Sequence, residues 1–189
     1  MTEPLPAEPE AGDQAFYRSL GEGRYESSSA TAGPWSPKTQ HAGPPSALLG
    51  RALERHEARE GIRVARVTVD LPRPVPVADL HVQVRTVRAG GRTELVEGEL
   101  TLGGETVTFA RAWRMAAAPA DTPSLRPETE PPPLPGPQTP QTVAAAHLDG
   151  YIAAMEWRFE PGKNFDTPAR EQPGVASASP WRPVNPTRP

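Results

Sequence analysis

The residues best suited to chemistry stand where the clearest helix of the chain begins. Gln40, His41, Ala42 and Gly43 precede Pro44-Pro45-Ser46, and an apolar stripe starts at Leu48. The first turn of a helix offers N–H groups without intrahelical partners and the positive end of the helix dipole. It therefore suits negative charge developing on a carbonyl oxygen. Pro44 and Pro45 contribute no N–H. The remaining donors are the N–H groups of Gly43 and Ser46 and the side chains of His41 and Gln40. Candidate proton acceptors are His41, Glu54 and Asp70. Plainer readings stand beside these. Gly-Pro-Pro is good helix-start geometry in its own right, and His41 can serve as a loop hydrogen-bonder. Glu54 can pair with Arg51 or Arg55 on the solvent side, and Asp70 can form the turn before Leu71-Pro72. Ser46 sits in no GxSxG elbow and has no Asp–His order of partners, which argues against a serine nucleophile.

Composition removes several other chemistries. The 189 residues include no cysteine, so disulfides, thiolate metal sites and a cysteine nucleophile are excluded. His41, His56, His81 and His147 lack close metal-ligand spacing, and no metal or other cofactor is expected. The net charge is -3 and the basic residues are scattered, which speaks against a nucleic-acid partner. No apolar run approaches the roughly 20 residues of a membrane span. The acidic opening MTEPLPAEPEAGD lacks the basic and apolar regions of a signal peptide, so a cytoplasmic protein is expected.

The elements that must position these residues lie between the prolines. All 26 prolines considered, Ser46–Pro72 and Val77–Ala118 are nearly free of them and carry the expected order. The helix is expected from Pro44 to about Ala58, stopping near Gly61. Leu48, Leu49, Ala52, Leu53 and His56 share one face, and Gly50, Arg51, Glu54 and Arg55 the other. His56 reads as a core or interface histidine. From Ile62 to Leu71 the pattern alternates, with Ala65, Val67, Val69 and Leu71 opposite Arg66, Thr68 and Asp70. Three more strands follow, Leu80–Arg88, Arg92–Leu102 and Glu105–Met115. The pairs Gly90-Gly91 and Gly103-Gly104 predict two-residue hairpins with positive φ. In the last strand Val107, Phe109, Trp113 and Met115 fall on one face, with Arg111 the exception. Near the start, Phe16, Tyr17 and Leu20 suggest a helical turn and Arg24–Ala30 a strand. Trp35, in Gly33-Pro34-Trp35-Ser36-Pro37, is expected to anchor its loop to the domain, and Trp113 to lie in the core. The fold class is α+β, an antiparallel meander covered by one helix.

Particular residues add a resemblance. Gly33-Pro34-Trp35, Gln40–Leu49, Leu71–Pro76, Leu95–Leu100 and Ala110–Arg114 occur in an order that resembles actinobacterial thioesterase-family proteins. Those are similar to bacterial acyl-CoA thioesterase II, with two hot-dog domains in tandem. Ala42 departs from the usual first glycine of that family's His-Gly-Gly step. The run Gly150–Phe159 resembles the opening of the second hot dog. Composition and the resemblance together give five segments: a disordered lead-in at 1–13, a hot-dog domain at 14–116 by resemblance, a Pro-rich linker at 117–141, the start of a second hot dog at 142–165 by resemblance, and a disordered tail at 166–189. The second unit is expected to be incomplete, through truncation, frameshift or a short variant.

The implied activity is hydrolysis of acyl-CoA thioesters to free acid and CoA. His41 and Asp70 are then the catalytic candidates, and Gln40, Ala42, Gly43 and Ser46 hold substrate. CoA enters as part of the substrate and not as a cofactor. The family's catalytic Asp, Thr/Ser and Gln belong to the second hot dog, and none is assigned here. Two alternatives remain. One is a non-catalytic acyl-CoA-binding protein or remnant. The other is an enoyl-CoA hydratase, for which no Asp/His pair is visible. Since hot dogs usually pair, a homodimer is expected.

Overall fold

The computed structural model describes residues 15–119, 121–123, 133–138, 150–155, 157–162 and 164. Eight strands and one helix follow each other in the order β1 (Tyr17–Gly21), β2 (Arg24–Ser27), β3 (Ala32–Gly33), β4 (Ser36–Gln40), α1 (Gly43–Arg55), β5 (Ile62–Asp70), β6 (Asp79–Arg88), β7 (Thr93–Leu102) and β8 (Glu105–Ala116). Six strands form one antiparallel sheet, ordered β1-β2-β6-β7-β8-β5, and β3 pairs with β4 as a separate hairpin. Helix α1 lies on one face of the large sheet. This is the expected α+β hot-dog arrangement.

The apolar stripe of α1 does what its spacing predicts. Leu48, Leu49 and Leu53 are buried against Val96, Leu100, Ala110 and Ala112. The strands beneath the helix carry small residues. Gly98 lies opposite Ala110 in the β7–β8 register, and a Cβ at Gly98 would come within 3.3 Å of Leu53 and 3.4 Å of Leu49. Missing side-chain volume on the sheet thus sets how closely the helix approaches. The helix ends at Arg55 and not near Ala58. His56 is extended at ψ 117 and Glu57 takes a positive φ of 42, which stops the helical path. His56 is half-buried, and its Nε2 lies 3.1 Å from Thr86 Oγ1.

Three strand expectations need correcting. The face of β8 that meets the helix is formed by Thr108, Ala110, Ala112 and Arg114, all buried. Phe109, Trp113 and Met115 point to the opposite face, where Trp113 is only half-buried and Met115 is 44% exposed. A bulge causes the change: Thr101 pairs with Thr106, but Leu100 pairs with Thr108, so Val107 is an extra residue that also turns inward. Arg111 fits the outer face, where it and Arg85 both bind Glu97. Next, only one Gly-Gly pair takes positive φ. Gly103 (58°) and Gly104 (88°) close a two-residue hairpin between Leu102 and Glu105, whereas Gly90 and Gly91 sit in a longer connection without positive φ. Gly90 is needed for space, because a Cβ there would lie 2.1 Å from the Thr93 carbonyl oxygen. Finally, Tyr17–Gly21 is a strand and not a helical turn, folded onto β2 through Gly21-Glu22-Gly23 with all three at positive φ.

In β5 the two expected faces hold from Arg66 to Asp70. Val67 and Val69 stand opposite Ala112 and Ala110 on the helix side. A bulge between Val64 and Arg66 leaves Ala65 exposed and lets Val64 join the core. Beyond β8, residues 121–123 and 133–138 form no helix or strand. Gln138 clasps Phe159, its Nε2 donating to the Phe159 oxygen (2.5 Å) and its Oε1 accepting the Phe159 N–H (3.0 Å). The expected short helix and strand around 151–159 are, among the described residues, a turn at 150–155 and a stretch at 157–160 without helix or strand. The expectations for 1–13 and 166–189 lie outside the described residues.

Candidate functional site

Strand β4 delivers Gln40 and His41 to the start of α1, and backbone bonds fix both. The Gln40 N–H donates to the Val75 oxygen at 2.7 Å, and the His41 N–H to the Thr31 oxygen at 2.8 Å. Gln40 is 8% exposed. Its Nε2 donates to the Pro76 oxygen at 2.8 Å, and its Oε1 accepts the Tyr17 hydroxyl. Both ends of this amide are therefore engaged in joining β1, β4 and the 75–76 segment. Burial pushes the Tyr17 phenol above its ordinary pKa, so it stays a donor.

His41 stands at the helix entrance. The Gly43 N–H donates to its Nδ1 at 3.1 Å. An imidazole that accepts at Nδ1 while neutral carries its proton on Nε2. Burial lowers the His41 pKa and so favours that neutral form. The ring lies nearly parallel to Tyr151, with centroids 4.3 Å apart and a 12° angle between planes. Trp35 is also parallel to it, at 6.3 Å and 7°. Trp35 is 82% exposed, so it does not anchor its loop in the core as expected.

The rest of the entrance is tightly occupied. Pro44 and Pro45 are fully buried. The Ala42 carbonyl accepts both the Ser46 hydroxyl (2.7 Å) and the Ser46 N–H (3.3 Å). Neither of the two expected backbone donors is free: Gly43 gives its proton to His41, and Ser46 gives its own to Ala42. Gln40, His41, Ala42, Gly43 and Ser46 are brought together as the sequence suggests. Asp70 is not. It is exposed at the end of β5 opposite Phe109, on the sheet face turned away from the helix. Glu54 is exposed on the outer side of α1.

Two features escape a reading by motif. The first is Tyr151, over a hundred residues from His41 and across the Pro-rich stretch. The second closes the far end of α1. Arg114 is 2% exposed, and its Nε donates to Glu94 at 2.7 Å. Its Nη1 donates to the carbonyls of Leu53 (3.0 Å) and His56. Arg59 binds the other oxygen of Glu94 at 2.9 Å. Burial alone would raise the Glu94 carboxyl, but the hydrogen bonds and charges of Arg114 and Arg59 hold it below its ordinary value. The bulge at Val107 sets the phase that turns this arginine inward. Among the described residues, no group of His, Asp and Glu is arranged to hold a metal ion, and no helix is long and apolar enough to cross a membrane. A cavity of about 380 Å³ lies between Arg24, His81, Glu99 and Thr106, and no candidate residue lines it.

Residues 31–115 match the family described as the acyl-CoA thioesterase N-terminal domain. A conserved protein of unknown function with a hot-dog fold, from Alicyclobacillus acidocaldarius, is similar at TM-score 0.55 and 23% identity, over 82% of this chain and 56% of that one. A candidate thioesterase II from Thermobifida fusca gives 0.52 and 18%, over 79% and 55%. The chain thus spans just over half the length of either protein. No curated protein matches it in sequence. The antiparallel sheet with its single covering helix, among the described residues, has the hot-dog arrangement, and residues 31–115 within it are similar to the acyl-CoA thioesterase N-terminal domain.

Proposed function

We propose that this protein binds acyl-CoA thioesters at the entrance of α1 and hydrolyses them to free acid and CoA. The observation that carries the reading is His41, a neutral imidazole at a helix N-terminus inside a segment that matches an acyl-CoA thioesterase domain. Its Nε2–H suits the carbonyl oxygen of a thioester, where negative charge grows as water adds to the carbon. The adding water loses one proton to solvent; collapse of the adduct then breaks the C–S bond, releases the acid, and leaves the CoA thiolate to take a proton back from solvent. His41 thus acts as a polarising donor and not as the base. Asp70, the other catalytic candidate, lies on the sheet face turned away from α1, so this reading gives it no part.

That separation favours a second reading, in which the protein binds acyl-CoA without turning it over. Thiol release should be followed across acyl-CoA substrates of graded chain length, beside calorimetry with the same compounds. Release above background that falls in the His41→Gln variant supports hydrolysis. Heat of binding without release supports the second reading, and no binding at all removes both.

Assembly as a homodimer belongs to the same proposal. Val67 and Leu71, 41% and 39% exposed, lie on or beside strand β5, which among the described residues is an edge that pairs only with β8. Sedimentation of a monomer at tens of micromolar, a concentration where a specific interface would be occupied, would remove it.

A further inference from the structure

Tyr151 reaches the helix entrance from a separate part of the chain, and its seat is built to receive it. Its N–H donates to the Ala32 oxygen at 2.9 Å. Gly150 before it has φ +82, and a Cβ there would lie 2.4 Å from that same Ala32 oxygen. Only glycine satisfies both the angle and the space. The turn is closed by the Ala154 N–H donating to the Gly150 oxygen at 3.1 Å, and it is braced by the Trp157 indole N–H donating to the Ile152 oxygen at 2.8 Å. Phe16 packs beside the Tyr151 ring at 5.6 Å. Gly43 leaves exactly the room the ring needs in one sense: a Cβ at Gly43 would meet Tyr151 Cζ and its hydroxyl oxygen at 2.8 Å. The ring therefore covers the Gly43 end of the helix and one side of His41 at once.

We infer that Tyr151 is the positioning residue of this site. Its ring holds the His41 imidazole in the orientation where Nδ1 accepts the Gly43 N–H and Nε2–H remains to meet an acyl carbonyl. The role of that Nε2–H rests on the thioester reading above, whereas the orientation does not. Without the Tyr151 ring, χ2 of His41 is restrained by one hydrogen bond to a backbone amide and by the more distant, exposed Trp35 ring. The imidazole can then flip, exchange its tautomer and admit water at Nδ1. A tyrosine suits the task through its flat face, so phenylalanine should replace it and an aliphatic side chain should not.

The test compares full-length Tyr151→Phe, Tyr151→Leu and Tyr151→Ala with the parent. Nitrogen-detected spectra of the imidazoles, assigned through His41→Gln, report tautomer and titration midpoint. Binding of a non-hydrolysable thioether analogue of acyl-CoA is measured by calorimetry. The parent and Tyr151→Phe should show a single tautomer protonated at Nε2. In Tyr151→Leu and Tyr151→Ala the proton should spread over both nitrogens and the midpoint should rise towards that of a free histidine. Affinity for the analogue should fall about tenfold in those two variants alone. An unchanged His41 in Tyr151→Ala would overturn the inference, as would equal changes in Tyr151→Phe. A His41 response with no analogue bound by any variant upholds the positioning role and removes the thioester reading. Tyr151→Leu retains packing volume, so a general loss of folding in Tyr151→Ala would not obscure the result.

Discussion

The two ends of α1 are finished by different means. At the C-terminal end a buried guanidinium collects the last carbonyls and is itself neutralised by Glu94, with Arg59 behind it. At the N-terminal end there is no ion pair among the described residues; prolines, one histidine and stacked rings cover the first turn. Charges placed in a dry interior are costly to separate. Ring stacking and a single neutral hydrogen bond are each of the order of 1 kcal/mol and can be exchanged. One end of the helix is therefore a fixture, and the other is held by contacts that can be exchanged.

Breaking the fixture should have the largest effect. Arg114→Ala leaves Glu94 buried beside a single exposed-side partner and orphans helix carbonyls. A loss of ~3–5 kcal/mol is expected in chemical denaturation. A loss below about 1 kcal/mol would show that this end is no firmer than the other. Thr108, inward on the same strand, sharpens the contrast. Its hydroxyl is buried and has no partner among the described residues. Thr108→Val should stabilise by ~1 kcal/mol, since an unpaired polar group is removed, and a matching loss would point to a partner for that hydroxyl. Gly43→Ala should keep the helix, with stability within ~1 kcal/mol of the parent. It should nevertheless push the Tyr151 ring aside, read as faster exchange of the residue-43 amide.

The smallest effect separates the ends by pH. His41 has a folded pKa below its ordinary 6.5, so the unfolded chain binds the extra proton first. Stability should be full above that value and decline as pH falls towards the folded pKa. Glu94 is held below 4.5, so its contribution is present above 4.5 and is lost as pH falls through its folded value. In thermal melts against pH, His41→Gln should flatten only the upper decline and Arg114→Met only the lower one. Both variants flattening the same window would contradict the separation of the two ends.

How much of this was legible in the sequence depended on whether a signal was local. The stripe from Leu48 to Leu53 is repeated at helical spacing, and Gly103-Gly104 carries its own turn chemistry, so both came through. The phase of β8 did not. One extra residue at Val107 inverts every later side chain, and the bulge arises from pairing with β7, not from the residues themselves. Gly90-Gly91 looks like Gly103-Gly104 on paper, but one pair serves space and the other serves φ. The gathering of Gln40 to Ser46 was legible because it is one continuous run. That Gly43 and Ser46 already spend their N–H groups was not, since those bonds depend on the ring placement of His41 and the path of Ala42. Asp70 was proposed as a chemical type without a partner, and strand alternation sent it to the far face.

The docking of Tyr151 is an intramolecular event. Roughly 30 residues of sequence separate the end of β8 from Gly150, so Tyr151 and His41 meet within one chain and need no second molecule to supply the contact. Such a contact is occupied a larger share of the time than the same contact between separate molecules. Cutting the chain within the Pro-rich stretch would leave the sheet and α1 folded and still dilute Tyr151 away from His41.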